Sequence, residues 1–242
     1  MSDNNNNNAT IELLTRIALL LGEELLSEVA FMGAMTTSLL VHEPLNRLKD
    51  AHVVTQVLNA GDWPVFHKAL QQRGFRLYAK DGLPYRMEND GLVVDFLPNH
   101  ESVAGYVNRC YRYALGSAEW FILENDLKIK LVTPVWCMAT KLEIWKGKGS
   151  NHAMISYDME DIFNLMTGRV KLVNEIRGAE PDVTNFILRG LEALLETDGF
   201  EDALSFITSG NIQRQALIFE FLKTMLDDDK QKQDSQERTE TT

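Results

Sequence analysis

The sequence is poor in cysteine and in basic residues, and each shortage excludes a class of protein. Its two cysteines, Cys110 and Cys137, are 27 positions apart, which gives neither a zinc-ribbon spacing nor a disulfide framework. Lysine and arginine number 24 against 35 aspartates and glutamates, a formal net charge of −11. A protein that grips long duplex DNA through many phosphates is normally basic, so general DNA binding is not expected. A local basic patch is still compatible with a compact RNA or a nucleotide.

Long apolar runs are missing as well. No run approaches the ~20 residues that span a bilayer, and the stretch 11–21 is interrupted by Glu12, Thr15 and Arg16. Neither a membrane helix nor a signal peptide is therefore expected, and we predict a cytoplasmic protein. With 242 residues, of which 45% are apolar, the chain can bury a core without disulfides or a structural metal.

The residue patterns predict a mixed α/β first half and a helical second half. Helices are predicted from Thr10, over 34–41 and over 63–74; strands are predicted over 29–32, 52–58, 75–78, 85–87, 92–97, 119–123 and 128–132. After Pro134, helical periodicity continues to Leu226. We therefore predict a disordered N-terminus over 1–9, an α/β domain over 10–133, a helical domain over 134–226 and a disordered acidic tail over 227–242.

Three polar features interrupt the apolar strands of the first half. Gly33 stands between a predicted strand and a predicted helix, where backbone N–H groups can face an anion, although such a glycine is more often structural. Asp50 and His52 share one face at the start of the next strand, because strand side chains alternate. Asp95 lies inside a strongly apolar strand. It must be paired, bound to metal or neutral, unless it sits at the end of the sheet and caps it.

The second half offers Lys141, Asp158 and Asp161. Lys141 flanks an apolar helical stripe, so its stem could simply lie along the edge of the core. Asp158 and Asp161 are three residues apart at the start of a predicted helix, where N-capping and the helix dipole would explain them without catalysis. A role in binding a ligand is the alternative for all three residues.

The order of these segments resembles the DNA polymerase β-like nucleotidyltransferase fold. More narrowly, it resembles the AbiEii-type nucleotidyltransferases, the toxin halves of type IV toxin–antitoxin and abortive-infection systems. The resemblance is carried by MGAMTTSLLVHEP, RLKDAHVV, DGLVVDFLP, ATKLEIWKGKG and SYDMEDIFNLMTGR, which follow one another between Met32 and Arg169. It implies an α+β fold, with a mixed sheet and flanking helices followed by a C-terminal helical bundle.

The resemblance also implies a reaction and the residues that carry it. A nucleoside triphosphate would donate its nucleoside monophosphate to an RNA, such as a tRNA 3′ end, or to a protein hydroxyl, with Mg²⁺ or Mn²⁺ as cofactor. A protein partner, an antitoxin or a defence subunit, is implied as well. Matched to this sequence, the catalytic positions are Asp50, His52, Asp95 and Lys141, of which the first three would hold the metal. The implied nucleotide-binding positions are Gly33, Ala34, Thr36, Lys49, Lys141, Asp158 and Asp161.

The sequence departs from the family pattern at the implied site. His52 stands where the family has an aspartate, and imidazole serves Mg²⁺ poorly, although it suits manganese, cobalt or zinc. Ala34 replaces a second glycine, and Met35 stands where a small hydroxyl residue is usual. Two hypotheses follow: a nucleotidyltransferase with reduced activity or an altered metal preference, or a catalytically inactive nucleotide sensor or subunit of a defence complex.

Overall fold

The computed structural model describes residues 3–41, 51–55, 62–98, 108–123, 126–147 and 156–240, with the backbone alone at 3–7, 35, 51, 52, 54, 55 and 228–240. The chain forms two compact units, Met1–Thr140 and Lys141–Thr242. The first is a mixture of strands and helices, and the described part of the second is helical, which confirms the predicted α+β class. In the described part of the chain, no helix combines the length and apolar character needed to cross a membrane.

The described elements of the first unit follow the predicted order. Its helices are α1 (Asp3–Ser27), α2 (Ala34–Leu40), α3 (Asp62–Gln72), α4 (Tyr111–Gly116) and the first part of α5 (Pro134–Gly147). Its strands are β1 (Val29–Met32), β2 (Ala51–Thr55), β3 (Arg76–Leu77), β4 (Arg86–Asn89), β5 (Leu92–Pro98), β6 (Glu119–Ile122) and β7 (Lys128–Leu131). The predicted strands are confirmed, apart from 56–58, which lie outside the described residues. The six-residue α4 was not predicted, because so short a helix leaves no periodic signal.

The strands form one mixed sheet in the order β3-β4-β5-β2-β1-β7-β6. The pairs β2–β5 and β1–β7 are parallel, whereas the remaining neighbours are antiparallel. One face of the sheet packs against α1 and α3. The buried residues there include Leu14, Ile17, Leu21, Phe66 and Leu70 of the helices and Phe31, Val53, Val94, Phe96 and Ile129 of the strands.

The register explains why this face is apolar. Phe31 lies opposite Val53, and Val53 lies opposite Phe96, so three neighbouring strands place large apolar side chains side by side. Phe96 also meets Phe75 edge to face, with 5.3 Å between the ring centroids. Because alternate residues of a strand occupy opposite faces, the positions beside these residues belong to the other face of the sheet.

The second unit contains the rest of α5 and five further helices in its described part. They are α6 (Tyr157–Gly168), α7 (Leu172–Arg177), α8 (Pro181–Leu195), α9 (Phe200–Ile207) and α10 (Ile212–Glu240). A Cβ at Gly190 would lie 2.9 Å from Leu142 Cδ1, so α8 approaches α5 closely at a residue without a side chain. Phe200 meets both Phe163 and Phe219 edge to face, which joins α6, α9 and α10.

Both ends of the chain carry helical backbone. Helix α1 begins at Asp3 and α10 ends at Glu240, so helix extends into the segments for which the composition predicts disorder. A helix that has already formed gains one hydrogen bond for each residue added, so it can continue through a polar sequence. The predicted domain boundaries themselves stay predictions.

Candidate functional site

The sheet brings four positions into one row across its strands. Met32 lies opposite His52, His52 opposite Asp95, and Asp95 opposite Arg86. Residues directly opposite one another occupy the same face, so this register row lies on the face turned away from the α1–α3 core. Gly33 follows Met32 directly in the chain. The structure thus places Gly33, position 52 and Asp95, three of the predicted site residues, at or next to one row.

Part of the predicted metal site lies outside what the structure describes. Asp50 and Lys49 are not among the described residues, and His52 is described by its backbone alone. The metal site at Asp50, His52 and Asp95 therefore stays a prediction. The backbone register supports only the statement that positions 52 and 95 are direct neighbours on one sheet face.

The turn at Gly33 has the geometry that favours glycine. Its φ is +84° and its ψ is −163°, a combination that side-chain-bearing residues rarely adopt. Thr37 donates to the Gly33 carbonyl through its backbone N–H at 2.9 Å and through Oγ1 at 3.0 Å. The neighbouring Thr36 is buried, and its Oγ1 has no hydrogen-bond partner among the described residues. Because Thr36 is 0% exposed, its hydroxyl is enclosed and no ligand reaches it in this conformation.

Asp95 is held by an arginine that is not among the predicted site residues. Arg86 donates from Nε to Oδ1 of Asp95 at 2.6 Å and from Nη2 to Oδ2 at 2.7 Å. This bidentate pair is the strong form of an arginine–carboxylate interaction. The hydrogen bond to Asp95 is the main cause that raises the pKa of Arg86 above its ordinary value. Asp95 is thus paired, and the interpretation that it caps the end of the sheet is wrong, because it lies in the middle of β5.

A second carboxylate meets the same guanidinium. Arg86 donates from Nη1 to Oδ2 of Asp81 at 2.7 Å, and Asp81 Oδ1 accepts from the backbone N–H of Leu83 at 3.2 Å. We call Arg86, Asp81 and Asp95 the sheet cluster. Burial raises the pKa of the neighbouring Tyr85, and the negative charge of Asp95 raises it further. The cluster therefore combines one cation with two carboxylates, and Tyr85 lies close enough for their charges to change its pKa.

The described donor atoms do not fit a divalent ion at Asp95. Mg²⁺ and Mn²⁺ prefer carboxylate oxygens as ligands, and both oxygens of Asp95 accept hydrogen bonds from Arg86. Among the described residues, no group of three or more histidine, cysteine, aspartate or glutamate side chains is placed to hold a metal. While the Arg86–Asp95 pair is intact, no step of a reaction can be assigned to a metal on Asp95.

Three further predicted residues meet inside the second unit. Lys141 Nζ lies 2.6 Å from Asp161 Oδ2 and 3.1 Å from Asp158 Oδ1. All three side chains are buried, and we call them the helix cluster. Lys141 comes from α5, whereas the two aspartates lie one turn apart on α6. Their role as nucleotide ligands stays a prediction, since each charge already has a partner within the cluster.

Two of the simpler interpretations of these residues are wrong, whereas Asp158 does lie in the first turn of α6, where the helix dipole favours an acidic residue. Lys141 does not lay its stem along the edge of the core, because its side chain is only 4% exposed and its ammonium group lies between two carboxylates. The N-cap of α6 is Ser156, whose Oγ accepts from the backbone N–H of Met159 at 3.2 Å, so neither aspartate caps the helix.

Arg86 and Asp81 are not among the site residues that the sequence predicts. From the sequence, Asp81-Gly82 indicates only a turn between the predicted strands 75–78 and 85–87, and Arg86 is only a member of the second strand. The available signal was a pair of opposite charges in a predicted hairpin, with a basic residue in one strand and a carboxylate in the other. It becomes informative only when the register pairs Arg86 with Asp95.

The comparison with solved structures gives a distant likeness. No model of a protein family and no curated protein sequence matches the chain. Among solved structures, the chain is similar to an antigenic nucleotidyltransferase-like protein from Paracoccidioides brasiliensis. The two share 18% sequence identity, with 86% of this chain and 92% of that chain covered and a TM-score of 0.43. A likeness this distant identifies neither the family nor the activity.

Proposed function

We propose that this chain is a nucleotide-binding protein of the nucleotidyltransferase type that acts in a toxin–antitoxin or phage-defence system, as the AbiEii resemblance implies. The observation that supports the proposal is the register row. It puts Asp95 and position 52 in line with Met32, and the turn at Gly33 follows directly. A glycine turn next to a row of polar residues is an arrangement suited to a triphosphate.

The proposed reaction is nucleotidyl transfer. The oxygen of an acceptor hydroxyl, on an RNA or a protein, forms a bond to the α-phosphorus of the nucleoside triphosphate. The bond between that phosphorus and the oxygen bridging to the β-phosphate breaks, pyrophosphate leaves, and the hydroxyl proton is released. Thr36 Oγ1, which has no partner among the described residues, is the group of this chain that we assign to a phosphate oxygen; because it is enclosed, the assignment requires the turn at Gly33 to open when the nucleotide binds.

A transfer assay tests this proposal. Purified protein is incubated with α-labelled nucleoside triphosphates, total RNA and either Mg²⁺ or Mn²⁺, and label is followed into RNA and into protein. We expect incorporation by the native chain that Thr36→Val reduces and Thr224→Val, a matched change on α10, leaves unchanged. Binding is measured in parallel by calorimetry. A native chain that neither incorporates label nor binds any nucleoside triphosphate contradicts the proposal.

A second candidate function is favoured by the two ion clusters. Arg86 neutralises Asp95, and Lys141 is shared by Asp158 and Asp161, so the predicted catalytic charges are occupied by one another. A protein with such a site would bind a nucleotide without turning it over and act as a sensor or as a subunit of a defence complex. This candidate predicts nucleotide binding in EDTA, intact nucleotide after incubation, and turnover only after His52→Asp restores the family's carboxylate. Turnover by the native chain with Mn²⁺ would exclude it.

A further inference from the structure

Two helices of the second unit, α9 and α10, expose large apolar side chains to solvent. Phe206 of α9 is 67% exposed, and Ile212 and Leu217 of α10 are 79% and 50% exposed. Phe219 of α10 is still 40% exposed, although its ring meets Phe200 edge to face. We call Phe206, Ile212, Leu217 and Phe219 the α9–α10 surface. Grouped exposed apolar residues mark interaction surfaces, whereas single scattered ones need no explanation.

The helical spacing places part of this surface in one line. Ile212 and Phe219 are about two turns apart on α10, and the exposed Ala216 lies between them, so these residues share one stripe of the helix. The ring contact between Phe219 and Phe200 places this stripe next to α9, whose last turn carries Phe206. A stripe of this kind is what an amphipathic helix of another protein packs against.

The charges around the α9–α10 surface are almost all negative. The stretch 192–227, which the structure describes throughout, exposes seven acidic side chains and one basic one, Lys223. The acidic residues are Glu192, Glu196, Asp198, Glu201, Asp202, Glu220 and Asp227. Asp202 lies one turn before Phe206 on α9, and Glu220 directly follows Phe219 on α10, so carboxylates border the apolar side chains.

This combination of charge and apolar area decides the kind of partner. Nucleic acid, an anionic membrane and a second copy of the same surface would all bring negative charge, which the acidic residues repel. A protein helix with apolar side chains on one face and lysine or arginine along its borders would cover Phe206 and Ile212. Its cations would then face the surrounding carboxylates, which gives complementary charge as well as apolar contact.

We propose that the α9–α10 surface is a docking site for a basic amphipathic helix of a partner protein. The inference goes beyond the proposed function, because none of these residues is a predicted nucleotide or metal ligand. Docking therefore requires neither a bound nucleotide nor transfer activity, and it is tested without either.

The test is the fluorescence anisotropy of a labelled synthetic peptide titrated with the full chain. The peptide has about five helical turns, with leucine on one face and lysine on the other, and a second peptide carries glutamate in place of lysine. We expect the lysine peptide to bind and the glutamate peptide not to bind. Phe206→Ser/Ile212→Ser should weaken binding at least about tenfold. Leu19→Ser/Val65→Ser, which changes two exposed apolar residues on helices of the first unit, should leave it unchanged.

A charge variant separates local attraction from the effect of the net charge. Glu201→Gln/Asp202→Asn should lower the affinity for the lysine peptide at least about threefold and make it less sensitive to NaCl. Glu12→Gln/Glu23→Gln removes the same number of exposed charges from α1 and should leave both the affinity and its salt dependence unchanged. An equal loss in the two charge variants would show attraction by net charge alone and would overturn the inference.

A native chain that does not bind the lysine peptide would also overturn the inference. So would binding of a single-stranded RNA oligonucleotide, or self-association in sedimentation, that Phe206→Ser/Ile212→Ser abolishes, because the surface would then belong to another kind of partner. Circular dichroism checks that each variant is folded. If Phe206→Ser/Ile212→Ser is not, Ile212→Gln alone replaces it, and a smaller loss of affinity is expected because one apolar contact remains.

Discussion

The sheet cluster and the helix cluster have the same composition of charges in different surroundings. Each places one basic side chain between two aspartates. In the sheet cluster, the exposed fractions of the side chains are 25% for Arg86, 28% for Asp81 and 6% for Asp95. In the helix cluster, they are 4% for Lys141, 9% for Asp158 and 4% for Asp161. The same set of charges is therefore enclosed in one unit and reachable from solvent in the other.

This difference separates two roles that a sequence pattern cannot distinguish. An enclosed ion cluster is costly to break, because each partner left behind is a buried charge. A cluster whose cation is partly exposed can exchange one of its partners, because water screens and solvates what remains. We therefore assign a structural role to the helix cluster and an exchangeable one to the sheet cluster, and the following experiments test the assignment.

The largest effect is expected when Lys141 is replaced by methionine. The substitution leaves Asp158 and Asp161 facing each other in a buried position, which should lower the free energy of unfolding by about 3–5 kcal/mol. Urea denaturation followed by circular dichroism measures the change. Lys146→Met is the matched control, because it removes an exposed lysine from the same helix and should shift stability by no more than about 0.5 kcal/mol.

A rescue experiment shows whether buried charge is the cause of that loss. Changing Asp158 and Asp161 to asparagine in the Lys141→Met background removes the unpaired carboxylates and should recover part of the lost stability. If Lys141→Met alone costs less than about 1 kcal/mol, the cluster is not enclosed in solution and the contrast with the sheet cluster disappears.

The second effect concerns Arg86. Arg86→Met should lower the free energy of unfolding by about 1–3 kcal/mol. This loss is smaller than that of Lys141→Met, because the arginine and one of its two carboxylates are partly exposed. The cost should shrink between 0.05 M and 1 M NaCl, since salt screens partly exposed charges, whereas the cost of Lys141→Met should change little. Arg76→Met serves as the control at both salt concentrations. Equal salt dependence for the two clusters would contradict the assignment.

The sequence was informative about the strands but not about the contacts that form the two clusters. The strand pattern and turn signals predicted every described strand, because alternation and turn chemistry are local. The pairing of Arg86 with Asp95 depends on the register between β4 and β5, and a shift of one residue would have put the two side chains on opposite faces. The burial of Lys141 likewise depends on how α5 and α6 pack, which the helical spacing does not contain.

The third prediction tests whether Ser156 or Asp158 caps α6. Ser156→Ala removes the side chain that caps the helix and should lower the free energy of unfolding by about 1 kcal/mol. Ser205→Ala, on an exposed position of α9, is the control and should change little. If Ser156→Ala has no effect and Asp158→Asn weakens the start of α6 instead, Asp158 would be the cap, and its place in the helix cluster would need another explanation.

The smallest effect is expected in the pH titration of Tyr85, whose pKa depends on the charges of the sheet cluster. Burial is the main cause that raises the pKa of Tyr85 above its ordinary value of 10.0, the charge of Asp95 adds to it, and the charge of Arg86 opposes it. The folded state therefore keeps the phenol proton where the unfolded chain has lost it, so the contribution of Tyr85 to stability falls as the pH rises above 10.0. Absorbance at the tyrosinate band, with Tyr85→Phe subtracted, measures the titration.

Arg86→Met should raise the pKa of Tyr85 further and Asp95→Asn should lower it, because the first removes the opposing charge and the second removes a supporting one.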